Sequence, residues 1–116
     1  DLVVRRRARR ALRQAWRELQ AAARKGDPAR LLKAGLEAMR VAAAPHFPAE
    51  PRALVGADVL ALFTDQERQG KLGATVRQLF ATADATRFGT HPPDGRNLLA
   101  SQADIENLLS RLEAML

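Results

Sequence analysis

Cysteine is absent from the 116 residues, which excludes a disulfide scaffold, a thiolate metal site and a cysteine nucleophile together. Aromatic residues are scarce at 4% while hydrophobic residues reach 47%, so the core must be built from Leu, Ala and Val. Trp16, Phe47, Phe63, Phe80 and Phe88 are its few bulky pieces. Cores rich in Ala and Leu belong to helices. No run approaches the roughly 20 apolar residues needed to cross a bilayer, and no window alternates apolar and polar residues as a half-buried strand would. Neither a fixed-period repeat nor a low-complexity segment is present.

Charge of one sign is concentrated at one end. Residues 1–25 carry nine Arg or Lys against Asp1 and Glu18, a balance of +7, whereas residues 26–116 carry ten basic and eleven acidic groups, a balance of −1. The sharpest feature is Leu2-Val3-Val4 followed by Arg5, Arg6, Arg7, Arg9 and Arg10. Apolar residues that give way to clustered arginines resemble the cytoplasmic exit of a membrane-spanning helix, so a span preceding Asp1 is expected, with these five arginines as a membrane-proximal collar. Basic residues near anionic headgroups are worth about 1 kcal/mol each. A nucleic-acid interface built on the same arginines is the rival expectation. It lacks the stacking aromatics and the basic face spread over a folded domain that such interfaces use.

The spacing predicts a first helix over about 5–25. Leu12, Trp16, Leu19 and Ala23 form its apolar stripe, widened by Ala8 and Ala15. Arg24, Lys25 and Gly26 end it, and Asp27-Pro28 opens the second helix with a carboxylate cap and a proline at the first helical position. Leu32, Leu36, Met39 and Ala43 repeat the 4, 3, 4 spacing. The short link makes the pair an antiparallel hairpin. Three prolines in 45–52 predict a rigid loop, followed by a short helix over about 57–63 burying Val59, Leu60, Leu62 and Phe63. Thr64 and Glu67 are spaced as a capping box, as are Ser101 and Asp104. Leu72, Val76, Leu79, Phe80 and Ala83 mark another helix ending near Phe88 and Gly89, 91–97 a second loop, and Ile105, Leu108, Leu109, Leu112, Met115 and Leu116 the last helical face. The expected fold is all-α: one domain over 1–116, a compact bundle of four to five helices that begins with the hairpin. Residues 1–10 form its basic, membrane-proximal entry.

Chemistry-bearing residues are sparse. His46 and His91 each stand beside proline in a loop, at a spacing that makes no ligand pair. Gly70 and Gly73 lack the lysine, the serine and the preceding strand of a phosphate loop. Asp84 places a carboxylate beside the apolar stripe, within reach of Arg77 or Arg87. No catalytic, metal or cofactor site and no small-molecule substrate is expected, which leaves His46, Asp84 and His91 as candidate partner contacts. An enzyme or ligand-binding bundle would need a polar pocket assembled from scattered residues.

An apolar start, an arginine-rich first helix (Val3 to Ala11), a Gly-Asp-Pro break at Gly26 to Pro28, a proline-interrupted middle, the segment LFATADATRFG (Leu79 to Gly89) and a Leu-rich last helix resemble together the C-terminal cytoplasmic domain of BatD-type proteins, the Bacteroides aerotolerance family. The most specific element is Asp84, Phe88 and Gly89, where the family often has tyrosine in place of Phe88. Helix two departs from the pattern with Leu36 and Met39 where many members carry tryptophan. The resemblance implies periplasmic immunoglobulin-like domains, one membrane span and a helical domain at the cytoplasmic face of the bacterial inner membrane. It further implies a non-enzymatic protein-interaction role in envelope or oxidative stress tolerance, with MoxR-type AAA+ ATPases and von Willebrand factor A domain proteins as partners.

Overall fold

The computed structural model describes residues 1–48, 50–87, 89 and 95–116. Phe88 and His91 lie outside the described residues. Seven α-helices appear among the described residues: α1 (Leu2–Arg24), α2 (Pro28–Ala43), α3 (Gly56–Leu60), α4 (Asp65–Gln69), α5 (Lys71–Arg87), α6 (Gly95–Ala100) and α7 (Gln102–Ala114). No strand occurs among these residues. The all-α, hairpin-led bundle is as expected. Four long helices, α1, α2, α5 and α7, form its body, and three short ones add to the expected count.

Helix α1 begins at Leu2 rather than Arg5 because the Asp1 carboxylate accepts from the Val3 amide at 2.9 Å and supplies the missing cap. Its far end closes through a paired-carbonyl cap: Gly26 takes φ +63°, the Asp27 amide donates to Ala22 O at 2.9 Å, and the Gly26 amide donates to Ala23 O at 3.1 Å. The Asp27 side chain then accepts from the Arg30 amide at 3.1 Å and opens α2. One residue therefore ends one helix and starts the next, which folds α2 back along α1.

The buried stripe of α1 is Ala8, Leu12, Ala15, Leu19 and Ala22, a 4, 3, 4, 3 spacing displaced from the expected one. Trp16 and Ala23 lie on its flank, half-buried. Helix α2 buries Leu31, Leu32, Ala34, Leu36, Ala38, Met39, Ala42 and Ala43, a wider face than one stripe because it is covered from two sides. Gly35 marks the centre. A methyl group there would meet Leu19, Leu79 and Ile105 at 3.6–3.7 Å, so α1, α5 and α7 converge on this turn of α2.

Aromatic residues contribute less to the core than their size suggested. Phe63 is buried, but Phe47 and Phe80 are only half-buried, and the largest fully enclosed side chains are aliphatic. Between the hairpin and α5 the prolines do not leave plain loop: Ala44–His46 and Pro51–Ala53 are single 3-10 turns, each with proline where a helical amide would have no partner. The expected 57–63 helix is Gly56–Leu60, started by the Asp58 carboxylate, which accepts from the Val55 amide at 2.8 Å. Val59 and Phe63 are buried there, Leu60 and Leu62 half-buried. The Thr64–Glu67 box forms in both directions, at 2.9 and 3.2 Å, and opens the five-residue α4.

The Ser101–Asp104 box does not form. Ser101 Oγ donates to Asn97 O at 2.8 Å and lies 3.1 Å from Gln78 Nε2, because residues 95–100 are themselves a helix whose last turn captures the hydroxyl. Of the expected loop over 91–97, Gly95, Arg96 and Asn97 belong instead to α6, which starts against Pro28, and 91–94 lie outside the described residues.

Candidate functional site: the arginine-bearing helix

Helix α1 presents three kinds of surface. Its buried stripe faces the core, one edge faces α7, and the outer arc faces solvent. The edge toward α7 is fixed by polar contacts that run antiparallel along the two helices. Arg5 Nη1 donates to Met115 O at 2.9 Å, Arg13 Nη2 lies 3.1 Å from Glu113 Oε2, and Trp16 Nε1 and Gln20 Nε2 donate to Glu106 Oε1 at 2.7 and 2.9 Å. Burial pushes the Glu106 carboxyl up, but the hydrogen bonds from Trp16, Gln20 and Gln102 outweigh it and hold the group below its ordinary range.

Of the five arginines at the start of α1, Arg5 is drawn into this contact and half-buried, whereas Arg6, Arg7, Arg9 and Arg10 are exposed. Ahead of them Leu2, Val3 and Val4 are 60%, 55% and 43% exposed. These three and Val55 are the large apolar side chains most open to solvent among the described residues. Beside Val4 an apolar groove of about 390 Å³ runs between α1 and the first proline turn, lined by Ala8, Ala11, Val41, Ala44 and Phe47, with Arg7 at its edge.

His46 stands at the same pole. Desolvation and then the nearby Arg5 charge push its imidazole below the ordinary histidine value, and its Nε2 is enclosed with no hydrogen-bond partner. It is therefore a neutral, half-buried side chain in the proline turn. Asp84 lies on the exposed side of α5, and Arg77 turns away from it to donate to Arg68 O at 2.9 Å. His46 and Asp84 share no contact given by the structure, and His91 lies outside the described residues.

No protein-family model, curated protein or solved structure matches the chain. Among the described residues no group of three or more His, Asp or Glu is placed to hold a metal ion, and no helix is long and apolar enough to cross a membrane.

Two polar contacts with α7 or within it were not legible in the sequence. Glu106 gathers Trp16, Gln20 and Gln102, and Glu67 receives Arg111 Nε at 2.6 Å. That hydrogen bond, with the Thr64 amide next, draws the Glu67 carboxyl down to about 2. The signal available for Glu106 was its place beside Ile105 at the border of the apolar face, four residues after Gln102. For Glu67 the capping spacing was legible and the bond to α7 was not.

Proposed function

We propose that this domain is a non-enzymatic protein-interaction module of a single-span inner-membrane protein, held at the cytoplasmic face with α1 as its membrane-adjacent element. The observation that carries this reading is the pole where exposed Leu2, Val3 and Val4 meet the arginines of a helix whose other side, from Ala8 onward, is locked into the core. Such a helix transmits position from a membrane to a folded body without a flexible joint. The BatD-like segment around Asp84 supports partners of the kind that family implies, a MoxR-type AAA+ ATPase or a von Willebrand factor A domain protein. Exposed Asp84 offers one contact on α5, and the proline turns Ala44–His46 and Pro51–Ala53 offer another beside Val4.

The test is affinity purification of the tagged, membrane-extracted parent protein with and without ATP. Recovery of such a partner by the wild type, with reduced recovery by Asp84→Lys, supports the reading. A parent protein that fractionates away from membranes, or that recovers no such partner in either nucleotide state, overturns it.

A further inference from the structure

The arginines of α1 do not end with the collar. Arg6, Arg10, Arg13, Arg17 and Arg24 follow one another at spacings of 4, 3, 4 and 7, and all five are exposed. At 100° per residue this row lies about 170° around the helix from the buried stripe of Ala8, Leu12, Ala15, Leu19 and Ala22. Arg7 and Arg9 flank the row and are also exposed. The only carboxylate within α1 is Glu18, and it is turned toward α2, where Arg30 Nη2 donates to it at 3.0 Å. Glu113 of α7 reaches Arg13 from the side. The outer arc of α1 is therefore a cationic ridge along the whole helix, on a domain whose remaining residues are close to neutral.

A collar needs charge only where the chain leaves the bilayer. From Val4 to Arg24 the helix rises about 30 Å, some three Debye lengths at about 0.1 M salt. On a helix standing upright on the membrane, Arg17 and Arg24 would sense almost nothing of the headgroups. Their register with Arg6 and Arg10 has a use when the helix axis runs along the surface, because only then do all five guanidinium groups reach the same plane.

We propose that α1 lies flat on an anionic lipid surface, with the arginine row on the headgroups and Leu2 and Val3, each about 50° from the row around the helix, entering the interface at its leading end. Interfacial helices bind by this combination of apolar insertion and basic contact. The exposed apolar start favours lipid over a nucleic-acid backbone, to which the aliphatic Leu2 and Val3 offer nothing. The one aromatic ring on this helix, Trp16, is committed to Glu106 and unavailable for base stacking. The inference shares with the proposed function the placement of α1 next to the membrane, and it adds an orientation and a ligand chemistry of its own.

The measurement is co-sedimentation of the 116-residue chain with vesicles of phosphatidylcholine alone or mixed with phosphatidylglycerol, at about 0.1 M salt. Each arginine at the surface contributes roughly fivefold to binding, so the double variant Arg17→Gln/Arg24→Gln is expected to bind mixed vesicles more than tenfold more weakly at unchanged helical circular dichroism. Leu2→Ser/Val3→Ser is also expected to weaken binding, and pure phosphatidylcholine to bind poorly. Loss of binding in Arg6→Gln/Arg10→Gln with none in the distal pair means an upright helix and overturns the proposal. So does absence of binding to anionic vesicles, or tighter binding to duplex DNA than to vesicles at the same salt. Because the vesicle assay contains no membrane span, its failure leaves the tether reading to its own test, and failure of the tether leaves this result standing.

Discussion

Trp16 donates its indole N–H to Glu106 at 2.7 Å across the α1–α7 interface, and this bond explains why the tryptophan sits beside the core stripe and not in it. An indole buried among aliphatic side chains would leave its N–H without an acceptor, at a cost comparable to the burial it gained. About 80° round the helix from the centre of the stripe, the ring still covers the core and the N–H reaches a carboxylate that already holds Gln20 and Gln102. Trp16→Phe is expected to keep the ring contact and to lose about 1.5 kcal/mol, the worth of a hydrogen bond to a charged acceptor. Urea unfolding measures it. A midpoint shift without a change of slope is the expected form.

Gly73 and Gly35 make a controlled pair. A methyl group on Gly73 would lie 1.9 Å from Arg68 O, a backbone atom of the short α4 that cannot swing aside. Gly73→Ala must separate α4 from α5 and is expected to destabilise by about 3 kcal/mol. A methyl group on Gly35 meets only side chains at ordinary contact distance, so the gain in helix preference is expected to leave Gly35→Ala neutral or up to about 1 kcal/mol more stable. Thermal melts of the two variants, side by side, check both signs.

Stability is expected to fall in acid through named carboxylates. The Arg111 hydrogen bond, with the Thr64 amide, draws the Glu67 carboxyl to about 2 from its ordinary 4.5, and Glu106 is also held low. A group that titrates lower when folded lends stability in full above its unfolded value and loses it as pH falls toward the folded one. Melting temperature should therefore decline between about pH 4.5 and 2, and Glu67→Gln should flatten that slope. His46, whose folded value lies below the ordinary 6.5, adds an earlier, shallower decline as pH falls below 6.5. His46→Gln should remove that part alone.

Asp27 serves two helices, but its side chain serves only the second. Asp27→Ala removes the acceptor for the Arg30 amide while leaving the backbone bond from residue 27 to Ala22. The expected cost is about 1 kcal/mol. Hydrogen exchange should quicken first at the start of α2, whereas the end of α1, still closed by Gly26, should remain protected.

Where helix ends depend on residues a few positions apart, the sequence was legible. Gly26, Asp27 and Pro28 marked the hairpin turn, and Thr64 with Glu67 marked the start of α4, because caps are local chemistry. The phase of the α1 stripe was less so. Choosing between a face centred on Trp16 and one centred on Ala15 requires knowing that Glu106 waits ninety residues later. Ser101 misled for a related reason: its hydroxyl had two partners open to it, and the turn of α6 before it won over the helix after it. For the site, the arginines and Leu2-Val3-Val4 were visible at once. That Arg6, Arg10, Arg13, Arg17 and Arg24 align opposite the core depended on the true phase of α1, and so on the same distant carboxylate.

The grip of Arg5 on the Met115 carbonyl has a mechanical consequence. Leu2 and the last turn of α7 lie at one pole, and the ties between α1 and α7 follow in order along the two helices, from Met115 through Glu113 to Glu106. A load drawing the first and last residues apart would meet these ties one after another, as a zipper does, and not all at once in shear. The domain should open from that pole at low force, in steps, with the α1–α2 hairpin outlasting the α1–α7 seam.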